Sequence, residues 1–166
     1  MGGDDAVIVA LGSNLPAGFA SCEALLDAAL LQFPQAGLPV LARSGWWRSA
    51  AWPDARGNEY RNGVAIVEAN GPPKAVLEAL FAIERAFGRV RGAANAPRTL
   101  DLDLIAFGRE ASDEQSLVLP HPRAHERLFV MGPLAQIAPD WRHPVTGETA
   151  SALAAGAGVG RDATPA

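Results

Sequence analysis

The chain is predicted to adopt an α+β fold, an antiparallel sheet flanked by helices with a C-terminal extension. Two observations lead there. Short β-branched runs alternate with two segments of helical spacing, and their order is strand, helix, strand, strand, helix, strand. With 166 residues, 49% of them hydrophobic and 19% charged, the composition is that of a globular domain rather than a disordered or fibrous one.

Residues 6–11 are continuously apolar and β-branched, which predicts a central strand, ended by the turn residues Gly12, Ser13 and Asn14. Phe19, Cys22, Leu25, Leu26, Ala29 and Leu30 recur at helical spacing, predicting a helix over 18–32 that Pro34 stops. Residues 38–48, with Trp46 and Trp47, read as one strand. Pro53, Asp54 and Gly57 make 49–59 a loop, and 62–67 is the next strand. Pro72 and Pro73 suit the first turn of a helix that runs through Val76, Leu80 and Ile83 to Gly88. A basic, small-residue loop over 89–97 leads into a strand that continues to Phe107. A brief strand at 117–119 and helical turns near 123–128 and 131–137 close the core. The Gly/Ala-rich residues 155–166 are expected to be a disordered tail, leaving 1–154 as one domain. The order of elements is the split βαβ pattern of ferredoxin-like domains, βαββαβ.

The strand after Pro97 carries the chemistry. Successive side chains point to opposite faces, so Leu100, Leu102 and Leu104 share one face while Thr99, Asp101 and Asp103 share the other. Two acids on one face lie roughly 6–7 Å apart along the backbone, within reach of one small cation or of two adjacent ones. Desolvating such a pair without partners costs several kcal/mol. A divalent cation would remove that cost, and Arg98 beside the pair suggests phosphate chemistry. Taken alone, the strand is equally consistent with an amphipathic edge whose acids are merely solvated.

Composition narrows the classes. A net charge of −4 argues against a general nucleic-acid or membrane-surface binder. Lys74 is the single lysine among 14 basic residues, and Arg89, Arg91, Arg98, Arg123 and Arg127 cluster in sequence around the acidic strand. Cys22 is the only cysteine, so an internal disulfide is impossible and a reducing cytoplasm is expected. No apolar run approaches the roughly 20 residues needed to span a bilayer.

Several ordered motifs resemble 6-hydroxymethyl-7,8-dihydropterin pyrophosphokinases. They are Gly12-Ser13-Asn14; Tyr60-Arg61-Asn62; Glu84 with Gly88-Arg89-Val90-Arg91; and Pro97-Arg98-Thr99-Leu100-Asp101-Leu102-Asp103. Leu119-Pro120-His121-Pro122, Arg127-Leu128-Phe129 and Pro133-Leu134 followed by Ile137-Ala138-Pro139 continue the series. The resemblance covers about residues 6–147. It implies transfer of pyrophosphate from ATP to the hydroxymethyl group of a reduced pterin, with release of AMP, in folate biosynthesis. It implies two magnesium ions held by Asp101 and Asp103. Arg89, Arg98, His121 and Arg127 would contact ATP, with Arg89, Arg98, Asp101 and Asp103 the catalytic set. Tyr60, Asn62 and Phe129 would bind the pterin, and Glu84 would buttress the site. The partners expected are therefore ATP and the reduced hydroxymethylpterin, with no nucleic acid and no membrane, acting on a cytoplasmic monomer.

Two positions depart from the family pattern. Asn95 stands where a loop tryptophan is common, with Trp52 a candidate substitute, and Pro122 follows His121 where an aromatic is common. Two other classes remain possible: a metal-dependent nucleotide enzyme that releases pyrophosphate, and a noncatalytic metabolite-binding module. A paralogue acting on a modified pterin is a third possibility.

Overall fold

Strand β1 (Val7–Ser13) lies at the centre of the sheet, and its β-branched, alternately packed residues are covered on both faces. The computed structural model describes residues 3–50, 58–88 and 99–166. Strand β4 (Tyr60–Val67) pairs antiparallel with one edge of β1, and β5 (Asp101–Phe107) pairs antiparallel with the other. Beyond β4 come β2 (Val40–Arg43) and β3 (Trp47–Ser49), both paired to it, and then β8 (Thr164–Pro165) on β3. A separate hairpin joins β6 (Ser112–Glu114) to β7 (Leu117–Leu119).

Helices α1 (Cys22–Gln32) and α2 (Pro73–Ala86) cover one face of the sheet. Leu25, Leu26, Ala29, Val76, Leu80 and Ile83 pack there with Val9, Leu11, Leu100, Leu102 and Leu104. Helices α3 (Leu128–Ile137) and α4 (Ala150–Gly156) cover the other face, packing Val130, Met131, Leu134 and the fully buried Trp141 on Ile8, Val64, Ile66 and Ile105. Each buried Leu or Ile contributes about 1.5–3 kcal/mol of transfer free energy, which is why both helical layers stay docked. The register of β1 against β5 shifts between Ile8 and Val9, an irregularity that sends both Ile105 and Ala106 to the second face. The leucines of β5 take the face their alternation predicts.

Three expectations change. The strand expected over 38–48 is interrupted. Ser44 Oγ accepts from the Val64 N–H (2.9 Å) and donates to the Gly45 carbonyl (2.8 Å), which diverts the ladder between β2 and β3. The Trp46 ring crosses Gly63 so closely that a Cβ there would lie 2.5 Å from it. The first helix starts at Cys22 rather than 18, because the Ser21 side chain caps it by accepting from the Ala24 N–H at 3.0 Å. Phe19 stays outside and stacks on Phe87, with ring centroids 6.0 Å apart.

The third change is at the tail. Residues 157–166 run back along the domain instead of leaving it. Val159 bridges to Arg127 in parallel, β8 extends the sheet, and Ala157 and Ala163 are buried. Composition misleads there because small residues, which cannot build a core of their own, fit a narrow path over a core already formed.

Candidate active site

The register of three neighbouring strands assembles the site. Gly12 lies opposite Asn62 on β4 and opposite Asp101 on β5; Ala10 lies opposite Val64 and Asp103. Directly paired residues share a face, so Asn62, Asp101 and Asp103 project together over a floor made of Gly12 and Ala10. A Cβ at Gly12 would stand 3.3 Å from Asn62 Oδ1 and 3.7 Å from the Arg61 carbonyl, so the missing side chain is what opens this floor. Asn62 is nearly buried, and its Nδ2 donates to Ser49 Oγ at 2.9 Å, fixing which way the amide faces.

The chain after β7 supplies the opposite wall. His121 anchors by donating its backbone N–H to the Ile105 carbonyl (2.8 Å), next to the acidic strand. A 3₁₀ turn at Ala124–Glu126 then delivers Arg127 and, in the first turn of α3, Phe129. Asp101, Asp103, His121, Arg127, Phe129 and Asn62 line one pocket. The Arg127 guanidinium carbon lies 5.7 Å from the centre of the Phe129 ring.

Burial, and next the Arg127 charge, push the His121 pKa down to about 4, although Asp101 pulls the other way. The ring is therefore neutral at pH 7. Its Nδ1 accepts from the Arg123 N–H at 3.2 Å, which puts the ring proton on Nε2. A neutral histidine with Nε2–H is a hydrogen-bond donor with no charge of its own.

Beneath β5, the buried Glu84 reaches from α2 and accepts from the Leu102 N–H at 2.8 Å. Leu102 is the residue between the two aspartates, so this bond holds the backbone that aims both carboxylates. Tyr60 occupies the end of β4 on the same face as Asn62 but does not line the pocket. Arg89, Arg91, Arg98, Asn95 and Trp52 lie outside the described residues.

A family profile for 7,8-dihydro-6-hydroxymethylpterin-pyrophosphokinase (HPPK) matches residues 8–139, most of the chain and all of the pocket wall just described. The chain belongs to the HPPK family. It is 39% identical over 143 residues to the 2-amino-4-hydroxy-6-hydroxymethyldihydropteridine pyrophosphokinase of a Synechocystis species, covering 86% of this chain and 71% of that one. Against the enzyme of the same description from Pseudomonas aeruginosa, identity is 42% over 138 residues, covering 83% of each. The fold is shared with the wild-type HPPK-DHPS of Plasmodium falciparum at a TM-score of 0.68, with 11% identity. That match covers 90% of this chain and 44% of that one, so the present chain spans less than half of the two-part protein. As an HPPK, the chain is an ATP-dependent pyrophosphokinase of folate biosynthesis that acts on 6-hydroxymethyl-7,8-dihydropterin.

The donor chemistry suits a hard cation. Among the described residues, no group of three or more His, Cys, Asp or Glu side chains converges as a metal cage. Two carboxylates above an open floor instead fit an ion that keeps waters and takes its remaining oxygens from a nucleotide. Among the described residues, no helix of this HPPK is long and apolar enough to cross a membrane.

Two parts of the HPPK site were not anticipated from its sequence. Ser49, expected in a loop, ends β3 and orients Asn62. Gly12, expected in a turn, lies inside β1, and a glycine within an apolar strand is itself the sign of close approach.

Proposed function

We propose that Asp101 and Asp103 are the ligands of two magnesium ions that carry ATP in this pyrophosphokinase. The observation supporting this reading is the strand register that sets both carboxylates over Gly12 and Ala10, facing His121 and Arg127. When bound, magnesium neutralises triphosphate charge and lowers the pKa of the pterin hydroxyl. The hydroxyl oxygen forms a bond to the β-phosphorus of ATP and gives up its proton to water, while the bond from that phosphorus to the α-phosphate bridging oxygen breaks and that oxygen leaves on AMP.

Little covalent help is required of the protein in such a transfer; position and charge dominate. His121 donates from Nε2 to a phosphate oxygen, adding a directed bond without adding charge. Arg127 offers bidentate contacts to phosphate oxygens, and the family motif assigns Arg89 and Arg98, outside the described residues, the same role. Phe129 and Tyr60 flank the flat pterin, and Asn62 presents an amide donor and acceptor to its edge.

We read the core as ferredoxin-like, with β2 and β3 as two halves of one interrupted strand, and the chain as one pyrophosphokinase domain on which the C-terminal residues 157–166 pack. The enzyme acts as a cytoplasmic monomer. The deciding experiment incubates the protein with ATP, magnesium and the reduced hydroxymethylpterin and separates the products. AMP and the pyrophosphorylated pterin appear together in equal amounts; release of pyrophosphate instead would assign a different nucleotide chemistry. Removing the metal with a chelator stops both products, and a single sedimenting species tests the monomer.

A further inference from the structure

We infer that the C-terminal strap, residues 157–166, positions the two side chains that hold the pterin, with Gly160 and Asp162 as its positioning residues. The inference rests on the reading of Phe129 and Asn62 as pterin contacts.

The strap reaches Phe129 first. It is clamped beside the ring from both sides: Val159 donates its N–H to the Glu126 carbonyl at 3.0 Å, and its carbonyl accepts from the Leu128 N–H at 2.9 Å. These bonds hold Gly160 against the Phe129 ring. A Cβ at Gly160 would come within 2.5 Å of Phe129 Cδ2 and 2.9 Å of Cε2, with φ at +69 as well. Only glycine combines that backbone angle with a ring lying on its α-carbon. The Cδ2–Cε2 side of the Phe129 ring is thereby seated on bare backbone, which stops the ring from turning toward the strap.

The strap then crosses to the other side of the slot. The Asp162 carboxylate accepts from the Ala50 N–H at 2.6 Å, and Ala163 turns back by donating to the Gly160 carbonyl at 3.0 Å. Thr164 and Pro165 pair with Arg48 and Trp47 on β3. Ser49, whose hydroxyl orients the Asn62 amide, therefore lies between the β8 pairing and the Asp162 tether. One short segment thus touches the support of the aromatic contact and the support of the polar one. These contacts of the strap fall on the supports of Phe129 and Asn62, so its influence is expected on the pterin rather than on the nucleotide.

The test measures steady-state kinetics of Gly160→Ala and Asp162→Ala in the full chain, varying pterin and ATP separately. Gly160→Ala raises the pterin KM by roughly tenfold, equivalent to about 1.4 kcal/mol and comparable to one aromatic contact, with kcat and the ATP KM little changed. Asp162→Ala raises the same constant more weakly. Made in a Phe129→Ala background, Gly160→Ala adds nothing, because the ring it displaces is gone. A pterin KM unchanged in both single variants overturns the inference, as does an equal Gly160→Ala effect with and without the ring. Should Gly160→Ala fail to fold by circular dichroism, Asp162→Ala decides alone: a raised pterin KM supports the strap, and an unchanged one refutes it. Phe129→Ala with an unchanged pterin KM would instead overturn the pterin role of Phe129, and the Gly160 arm with it.

Discussion

Glu84 and Leu102 are joined by a buried hydrogen bond of 2.8 Å, from the backbone N–H between the two aspartates to a carboxylate on the opposite side of the sheet. A helix that contributes nothing to the pocket wall thereby governs the strand that does. Replacing Glu84 with Ala orphans a buried N–H and empties part of the core. A loss of about 1–3 kcal/mol in urea unfolding is expected, with a fall in kcat. Glu84→Gln retains an acceptor and loses less on both measures.

Asp101→Asn and Asp103→Asn keep side-chain volume and remove the charge that a hard cation requires. Each is expected to lower kcat by about 10³-fold or more, the scale of a lost electrostatic stabiliser. Thermal unfolding should stay close to that of the parent, since both side chains are only half-buried. Magnesium titrated calorimetrically in the presence of ATP should bind more weakly to both variants.

Gly12→Val fills the floor between Asn62 and Asp101. The nearest atom to a new Cβ is Asn62 Oδ1, at 3.3 Å, so the amide gives way first. Misplacement of this order costs up to about 10²-fold in kcat/KM. Gly12→Ala should be milder, and the pterin KM should move more than the ATP KM in both variants.

Stability depends on pH through two histidines. His143 is held down to about 4 by burial first, then by the neighbouring His125 and Arg109 charges, and His121 lies at about 4 as well. Unfolded histidines titrate near 6.5, so between pH 6.5 and 4 the unfolded chain binds more protons than the folded one. The contribution is whole above pH 6.5 and declines as the pH falls through that window to about 4. His143 Nδ1 accepts from the Val145 and Thr146 N–H groups, at 3.2 and 3.1 Å, and protonation would forfeit both bonds. His143→Asn keeps an acceptor for that turn without titrating. Its urea midpoint should fall less steeply between pH 6.5 and 4 than that of the parent.

Much of this site is written locally. Period-two alternation is a property of any extended strand, so the side on which Leu100, Leu102 and Leu104 lie relative to Asp101 and Asp103 follows from order alone. The helical spacing of Leu25, Leu26 and Ala29, and of Val76, Leu80 and Ile83, likewise predicts which stripes are buried. The motif at His121, Arg127 and Phe129 singles out three residues that line one pocket but says nothing of where the chain carries them.

Pairing between distant segments decided the remainder. That Gly12 faces Asn62 and Asp101 is a register between strands far apart in sequence, set by the burial of both sheet faces together. The tautomer of His121, the orientation of Asn62 by Ser49 and the seating of Phe129 on Gly160 all depend on contacts that exist only after the layers close. Residues 157–166 show the difference most plainly. Their composition alone lacks the apolar mass to order them, yet Val159 and Thr164 find backbone partners on a surface the rest of the chain has already built. A chain carries its periodicities from residue to residue, whereas complementary surfaces come into being only in the assembled fold.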